Sequence, residues 1–236
     1  LMTNSAGPGK HRGGLGTELV FEALAPNTRV TARNRDRTVF SGWGIAGGKA
    51  GGLSRFIRNP DRDNAFDLRN TDIVTIDPGD IIHVTCGGAG GWGDPLQRDP
   101  EAVLRDVLRG WVSCDHAQQE YGVIISDRKL DEEATEACRK ARGNDGGDGK
   151  EASFYHVGKA QQAFETVWTE ANYDALTEGL MKLPVTWRFY AKHRVFSMID
   201  KLPSDDPGRS DGTAVRRGFT RLSEEFPDLA EAGDNS

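Results

Sequence analysis

The chain has 236 residues, a formal net charge of -6 at pH 7 and a pI near 5.4. This length is enough to bury a sizeable core, either as one domain or as one domain with an appendage. The acidic balance argues against a nucleic-acid-binding face, which requires clustered positive charge. Mean hydropathy is only -0.58 and glycine contributes 29 residues. We therefore expect a loop-rich structure with an extended or partner-dependent region.

The longest apolar runs, such as residues 123–125, are far too short to span a membrane, so no membrane partner is expected. The N-terminus lacks the charged and apolar regions of a signal peptide. The cysteines are Cys86, Cys114 and Cys138, and their odd number and wide spacing predict reduced thiols in a cytoplasmic protein. Because the chain begins at Leu1, we expect a processed product or one segment of a longer polypeptide.

Residues 1 to about 96 are predicted to form β-structure with glycine-rich loops. Apolar and polar residues alternate over residues 18–23, and this alternation places one set of side chains on the same face of a strand, namely Leu19, Phe21 and Ala23. Residues 28–32 and residues 38–40 are further strand candidates. Between them, the polar residues 34–37 predict a hairpin turn.

The strongest hairpin signal joins residues 72–76 to residues 81–85. Both segments are rich in β-branched residues, and the link between them reads Asp77, Pro78, Gly79 and Asp80. Pro78 fixes φ at the first central position of a turn, and Gly79 accepts the positive φ of a type II turn at the second. The sequence therefore predicts a tight turn followed by antiparallel pairing of the two strands.

Helical signals begin in the middle of the chain. Asp99 is a candidate N-cap for a helix whose first residue is Pro100, and the buried stripe of this helix is expected to be Val103, Leu104, Val107 and Leu108. Ser113 is a candidate cap of a second helix. A third helix is predicted over residues 131–142. These signals indicate a small helical segment after the β-rich part.

The predicted organisation has three parts. Residues 1–142 form one domain, which is β-rich to about residue 96 and helical after it. Residues 143–150 form a flexible linker, because glycine entropy and acidic charge both oppose packing, and residues 151–236 form a helical extension. The predicted fold class is α+β, with a glycine-rich, mainly β N-terminal part followed by short helices and a helical C-terminal extension.

Two glycine motifs come close to nucleotide-binding patterns and fail. Residues 88–93 match G-x-G-x-x-G, but Asp94 and Pro95 follow at once, so no helix N-terminus is in place to meet a pyrophosphate. Residues 47–50 resemble the end of a P-loop, yet Ala50 stands where a Ser or Thr hydroxyl must bind magnesium. Both motifs favour structural glycine turns.

Residue patterns for metal or nucleophilic chemistry are missing from the sequence. The five histidines show no H-x-x-x-H spacing and have no cysteine beside them at ligand spacing. No G-x-S-x-G elbow surrounds a serine. We therefore assign no catalytic residue and no metal ligand from the sequence.

One loop, residues 4–16, is a candidate anion site. Its successive glycines let backbone N–H groups approach a phosphate, and two basic residues add positive charge beside them. The candidate residues are Ser5, Gly7, Gly9, Lys10, Arg12, Gly13 and Gly14. A tight structural loop that joins two strands is the alternative, and the sequence leaves it open.

Three segments in this order resemble the hydantoinase B/5-oxoprolinase family. Residues 4–16 resemble its S-G-G-P-G-x-x-R-G-G-L-G motif, with Asn4 in place of Asp and Ala6 in place of Gly. Residues 43–44 and 47–49 resemble the family's segment between its two main motifs. Residues 87–103 and 121–123 resemble its glycine run followed by G-D-P-L-x-R-D-P and Y-G-V. The order of the matches is more specific than any one of them. The resemblance covers roughly residues 1–142 and corresponds to the C-terminal part of the family's B-type chain.

This resemblance implies a multisubunit, ATP-dependent hydrolase that opens hydantoin, 5-oxoproline or lactam rings through a phosphorylated intermediate. The implied partners are an A-type ATPase chain of the hydantoinase A kind, which holds ATP and magnesium, and the N-terminal part of the B-type chain if that part is separate. A divalent metal, if present, is expected in that N-terminal part, and we expect this chain to bind no cofactor and to be inactive alone. The alternatives are one component of an ATP-dependent ketone carboxylase of the acetone or acetophenone type, and a non-catalytic structural piece of such a complex.

Overall fold

A computed structural model describes residues 1–31, 37–69, 71–144 and 154–227. The chain forms two compact units, Leu1–Gln161 and Gln162–Ser236. Most of the predicted linker, residues 145–150, lies outside the described residues. The predicted boundaries at residues 142 and 151 therefore stay a prediction.

The first unit contains a four-stranded antiparallel sheet in the order β1-β7-β4-β5 and three two-stranded sheets, which pair β2 with β6, β3 with β10 and β8 with β9. In the described part of this unit the strands are β1 (Thr17–Glu22), β2 (Thr28–Thr31), β3 (Gly44–Ile45), β4 (Arg55–Arg58), β5 (Phe66–Asp67), β6 (Ile73–Ile76), β7 (Ile81–Cys86), β8 (Ile124–Ser126), β9 (Lys129–Asp131) and β10 (Tyr155–His156).

The four-stranded sheet and the β2–β6 pair share one hydrophobic core. Successive side chains of a strand point to opposite faces, so β7 turns Ile82 and Val84 inward. Val30 and Val74, opposite each other on β2 and β6, pack against the same cluster. The buried members of this cluster are Ala23, Phe56, Leu68, Ile76, Ile82 and Val84. Burial of this apolar area is the main force holding the two sheets together.

The turn between β6 and β7 is confirmed, but the predicted pairing of these two strands is wrong. The amide of Asp80 donates to the carbonyl of Asp77 at 3.0 Å, and Gly79 has a φ of 87°. However, β6 pairs with β2, whereas β7 pairs with β1 and β4. The turn instead exchanges backbone hydrogen bonds with Ala23, at 2.9 and 3.0 Å. This contact directs the two strands into different sheets.

The predicted hairpin around residues 34–37 is also wrong. The strand β2 pairs with β6, about forty residues away in sequence, and residues 38–40 form turns. Residues 32–36 lie outside the described residues. The reason is that Val30 faces Val74 over the shared core, so burial selects a distant partner over a local one.

The strand β1 lies at an edge of its sheet and exposes apolar side chains. Leu19 is 60% exposed, Val20 63% and Phe21 40%. The alternation predicted for residues 18–23 therefore gives a strand, but only Ala23, beyond its end, is buried. An edge strand with exposed apolar residues is typical of a surface that is covered by another chain or segment.

The helices of the first unit begin where the sequence predicts. They are α1 (Pro100–Leu108), α2 (Cys114–Tyr121) and α3 (Glu132–Asn144), and a 3-10 turn spans Pro95–Gln97. The Asp99 carboxylate accepts from the amide of Glu101 at 3.1 Å, and the Ser113 hydroxyl accepts from the amide of His116 at 3.1 Å. Both predicted caps are confirmed. Tyr121 and Val103 anchor a second small core between these helices.

The second unit is helical. Helix α4 (Lys159–Val167) spans the boundary between the units, and α5 (Glu170–Met181), α6 (Val185–Asp200) and α7 (Thr213–Glu225) follow. Their core consists of Trp168, Ala175, Leu176, Ala191, Val195, Ile199, Ala214, Val215 and Leu222. The α+β prediction with a helical C-terminal extension is confirmed. Among the described residues, no helix combines the length and the apolar character that crossing a membrane requires.

The turn after β6 gives a prediction for acid stability. The Asp80 carboxylate accepts from the Arg58 guanidinium at 2.6 Å, from the Asn59 amide at 2.8 Å and from the Asp77 backbone at 2.9 Å. The hydrogen bond from Arg58, followed by those from Asp77 and Asn59, holds the pKa of Asp80 far below its usual range. A depressed carboxyl pKa contributes stability above the unfolded-state value of about 3.9, and this stability is lost as the pH falls below it.

We expect Asp80→Asn to lower the melting temperature at pH 7. The deficit relative to the parent should shrink as the pH is lowered from about 5 towards 2, because the unfolded parent then takes up a proton at Asp80 while the folded parent keeps it ionised, and this favours unfolding. Thermal unfolding followed by circular dichroism at several pH values measures this. Asp61→Asn, at an exposed position of the neighbouring loop, is the matched control and should leave the melting temperature unchanged. A difference in melting temperature that stays constant across this pH range would show that the charge of Asp80 does not contribute to stability.

Candidate functional site

Three glycine-rich segments meet in the first unit, and we call them together the glycine junction: residues 4–16, 42–52 and 87–93. Backbone hydrogen bonds join them directly. Gly7 donates to Ala89 at 2.8 Å, Lys49 donates to Pro8 at 2.7 Å, and Gly91 donates to Lys49 at 2.9 Å. The junction is therefore built from main chain against main chain, outside the four-stranded sheet.

Glycine is required here because the backbones approach too closely for a side chain. A Cβ atom added at Gly90 would overlap the carbonyl oxygen of Trp43, and one added at Gly7 would overlap the carbonyl oxygen of Lys49. Close approach of two backbones is one of the standard uses of glycine. The glycine run at residues 88–93, which matched a dinucleotide fingerprint, has this structural role.

The candidate anion loop uses much of its backbone inside the junction. The amides of Gly7, Lys10, His11 and Gly13 all donate to backbone carbonyls of the junction. Gly9 packs against the backbone of Trp92, and Gly14 accepts from the amide of Ala89. Phosphate binding by these groups stays a prediction. The observed hydrogen bonds are of the kind expected for the alternative, a tight structural loop.

Ser5 and Arg12 of the candidate set are also engaged within the fold. The Ser5 hydroxyl donates to the carbonyl of Met2 at 2.6 Å and accepts from the amide of Gly16 at 2.8 Å. The Arg12 guanidinium contacts Asp106 of α1 at 2.9 Å and the carbonyl of Gly13 at 2.7 Å. These contacts fasten the loop to itself and to helix α1.

Asp106 holds two cations at once. Besides Arg12, the guanidinium of Arg98 donates to it at 3.0 Å, and Asp106 is only 4% exposed. A buried carboxylate needs such partners, because its transfer out of water is costly. Arg12 is therefore engaged in an ion pair within its own protein, which it shares with Arg98.

An open cleft of about 230 Å3 lies beside the loop, where residues 4–8 and 49–52 face helix α2. Its charged members are Lys49 and Glu120, whose Nζ and Oε2 atoms are 2.6 Å apart. His156 lies at its rim, and its Nδ1 accepts from the amide of Ala50 at 3.1 Å. Because an imidazole nitrogen that accepts carries no hydrogen, Nε2 of His156 is a donor in the neutral ring.

His116 also lines this cleft and carries no charge at neutral pH. Burial lowers its pKa, Lys49 lowers it further, and Glu120 opposes the change. Its Nε2 is buried and has no hydrogen-bond partner within the described part of the chain. The cleft thus combines one ammonium, one carboxylate and two imidazoles.

Asn4 and the backbone hold the cleft wall in place. The Asn4 side chain donates to the Ser113 hydroxyl at 3.0 Å and accepts from the Ser113 amide at 2.8 Å. The first turn of α2 is therefore bonded to the start of the loop. Lys49 is fixed by both of its backbone hydrogen bonds within the junction.

Sequence reasoning missed the Lys49–Glu120 pair as a site. Lys49 drew notice through a failed P-loop match and as part of a family-like segment, but not as one of a pair, because Glu120 lies 71 positions away. The glycines before Lys49 are the one available signal, because they mark a segment in close backbone contact. Within the described ranges, no group of three His, Cys, Asp or Glu side chains is arranged to hold a metal ion.

A family model described as hydantoinase B/oxoprolinase matches residues 1–95, which include the whole glycine junction. Residues 1–95 of this chain are therefore similar to the hydantoinase B/oxoprolinase family. The resemblance of the loop and of the glycine run to that family is confirmed.

Known relatives carry the same region. The chain is 43% identical over 148 residues to the beta chain of the caprolactamase of Pseudomonas jessenii, with 60% of this chain and 25% of the relative covered. A solved structure of the ATP-dependent caprolactamase from that organism is 34% identical, covers 59% of this chain and 25% of its own, and gives a TM-score of 0.46.

Two further relatives have different names. The B component of a putative D-/L-hydantoinase from Pseudomonas sp. (strain NS671) is 33% identical over 59% of this chain and 24% of its own length. The delta component of the acetophenone carboxylase of Aromatoleum aromaticum is 27% identical over 58% of this chain and 25% of its own length. The chain spans about a quarter of the length of the curated relatives it matches.

The glycine junction predicts a steric penalty at Gly90. We expect Gly90→Ala to lower the free energy of unfolding by about 3 kcal/mol or more, because the new methyl group meets backbone that cannot yield. Urea denaturation measures the loss. Gly143→Ala is the matched control, since nothing lies within 4 Å of its added Cβ and it sits in helix α3. It should be neutral or stabilising by up to about 1 kcal/mol. Equal effects of both changes would remove the steric explanation.

The ion pairs of Asp106 give a second prediction. Arg12→Ala leaves this buried carboxylate with Arg98 as its remaining cation, and we expect a loss of about 1–3 kcal/mol in unfolding free energy. Arg105→Ala is the control, because its contact to Asp99 is 3.7 Å long and well exposed, and it should cost less than about 1 kcal/mol. Unchanged stability of Arg12→Ala would show that the fold does not need the Arg12–Asp106 ion pair. Arg12 would then be a candidate for binding an anion.

Proposed function

We propose that this chain is part of the B-type component of an ATP-dependent enzyme that hydrolyses cyclic amides such as lactams and hydantoins. The observation that carries this proposal is the 43% identity to one chain of a caprolactamase. The match to the B component of a hydantoinase at 33% points to the same bond type. Both enzymes are named after ring compounds that contain an amide.

The chemistry explains why ATP is needed. An amide carbonyl is a poor electrophile, because the nitrogen lone pair is delocalised into it. Transfer of a phosphoryl group from ATP to the carbonyl oxygen makes that oxygen a leaving group. Water then adds to the carbon, and cleavage of the ring C–N bond leaves an amine and an acyl phosphate. A second water displaces phosphate from the acyl phosphate, so that an amino acid forms. The resemblance to the hydantoinase B/oxoprolinase family implies that ATP and magnesium bind to an A-type ATPase partner.

The residues of this chain suit a binding and positioning role in that reaction. The Ser5 hydroxyl is bonded on both sides, so it is poorly placed to act as a nucleophile. The cleft offers charged and neutral hydrogen-bonding groups held by a rigid junction. Preorganised donors and acceptors of this kind orient a substrate that a partner chain activates.

A ketone carboxylase is the second candidate. The 27% identity to one component of an acetophenone carboxylase favours it, and phosphorylation of a ketone's enolate oxygen is closely related chemistry. A purely structural piece of either complex is the third. We rank the hydrolase first, and the larger identity to the caprolactamase chain supports this ranking.

The test is a purification of the chain with its natural partners, followed by intact-mass measurement and ATPase assays. We expect a larger ATPase chain in the complex, and ADP release that rises with ε-caprolactam or hydantoin in step with the ring-opened product. ATP turnover that rises only with acetone or acetophenone, with bicarbonate consumed, would transfer the assignment to the carboxylase. A chain that purifies alone as a stable monomer would remove the proposal that it works within a complex.

A further inference from the structure

We propose that the Lys49–Glu120 pair in the cleft binds the amide edge of a small lactam ring, with Lys49 donating to the ring carbonyl and Glu120 accepting from the ring N–H. This inference rests on the proposed hydrolase function and specifies where this chain holds the substrate.

The geometry of a ring amide is the first argument. An open-chain secondary amide is trans, so its N–H and C=O point in opposite directions. A small ring forces the cis arrangement, and both groups then lie side by side on one edge. A receptor for that edge needs one donor and one acceptor next to each other. The Nζ of Lys49 and Oε2 of Glu120 are 2.6 Å apart, so the two heads already sit side by side.

The hydrogen-bonding capacity of the pair is the second argument. An ammonium has three donors and a carboxylate accepts at two oxygens. Their mutual bond therefore uses only part of what each group offers, and a lactam can add one bond to each without breaking it. The side chains are 43% and 24% exposed, so both remain accessible from the open side of the cleft.

The surroundings favour a neutral, compact ligand. The two charges of the pair balance each other, and His116 adds none because burial lowers its pKa. A cleft of about 230 Å3 has room for a ring of this size but is smaller than a typical site for a drug-sized ligand. His156 at the rim supplies a further donor through Nε2.

Both members of the pair are held by rigid elements. Lys49 is bonded through its amide to Pro8 and through its carbonyl to Gly91. Glu120 lies on α2, whose cap Ser113 is bonded to Asn4. Preorganisation of this kind reduces the ordering cost of binding.

The experiment measures lactam binding by isothermal titration calorimetry with the intact complex and no ATP. The probes are ε-caprolactam, its N-methyl derivative, which lacks the N–H, and N-methylacetamide, which is trans. We expect binding of ε-caprolactam and at least tenfold weaker binding of the other two. Similar affinity for all three would overturn the edge recognition.

Variants assign the binding to the pair. Glu120→Gln and Lys49→Met should each weaken ε-caprolactam binding by about tenfold or more, because each removes one charged hydrogen bond. Glu225→Gln breaks an ion pair of the same 2.6 Å length in the second unit and should leave the dissociation constant unchanged. Circular dichroism verifies folding, and Glu120→Asp, which keeps the charge but withdraws it by one methylene, replaces Glu120→Gln if that variant unfolds.

The proposed binding site and the proposed hydrolase function are contradicted by different results. A parent complex with lactam-stimulated ATPase, whose Lys49 and Glu120 variants keep the parental lactam affinity, would overturn the binding site and leave the hydrolase intact. A parent complex that shows no lactam-stimulated ATPase would instead overturn the hydrolase itself. Loss of binding in both pair variants but not in Glu225→Gln would support the site.

Discussion

The structure of the first unit depends on the direct contact of three glycine-rich backbones. Close approach at Gly7 and Gly90 leaves no room for a Cβ atom, and the amides and carbonyls that regular strands would pair are paired across the glycine junction instead. This arrangement explains a composition that is low in apolar residues and rich in glycine. The constraint also fixes the positions of side chains at its edge, Lys49 among them.

The junction is fastened to the small helical segment by ion pairs and by hydrogen bonds between Asn4 and Ser113. Asp106 of α1 receives the guanidinium groups of Arg12 and Arg98. The neighbouring Tyr121 hydroxyl is buried, and burial raises its pKa to about 12, so it stays protonated and adds no charge to the cluster. Removing any one cation leaves a buried carboxylate short of a partner, which is why the basic residues of the loop matter to folding.

The sequence predicted features whose causes are local. The caps Asp99 and Ser113, and the turn at Pro78 and Gly79, follow from the conformational preferences of those residues themselves. The strand partners could not be predicted from local preferences, because β6 and β7 each pair with a strand that is distant in sequence and packs on the same core. The cleft was not predictable for the same reason: Lys49 and Glu120 are separated by 71 positions, and only the folded chain shows that they meet.

The residue pattern of the loop and its geometry point to different roles. Glycines and basic residues together suggest a phosphate cradle, yet the loop amides donate inward and Arg12 is paired with Asp106. What the loop does contribute is a rigid wall, through Asn4 and the backbone partners of Lys49. A chain built in this way is suited to presenting a fixed donor and acceptor to a neutral ring. In the proposed function, phosphoryl transfer takes place where a partner chain meets that ring.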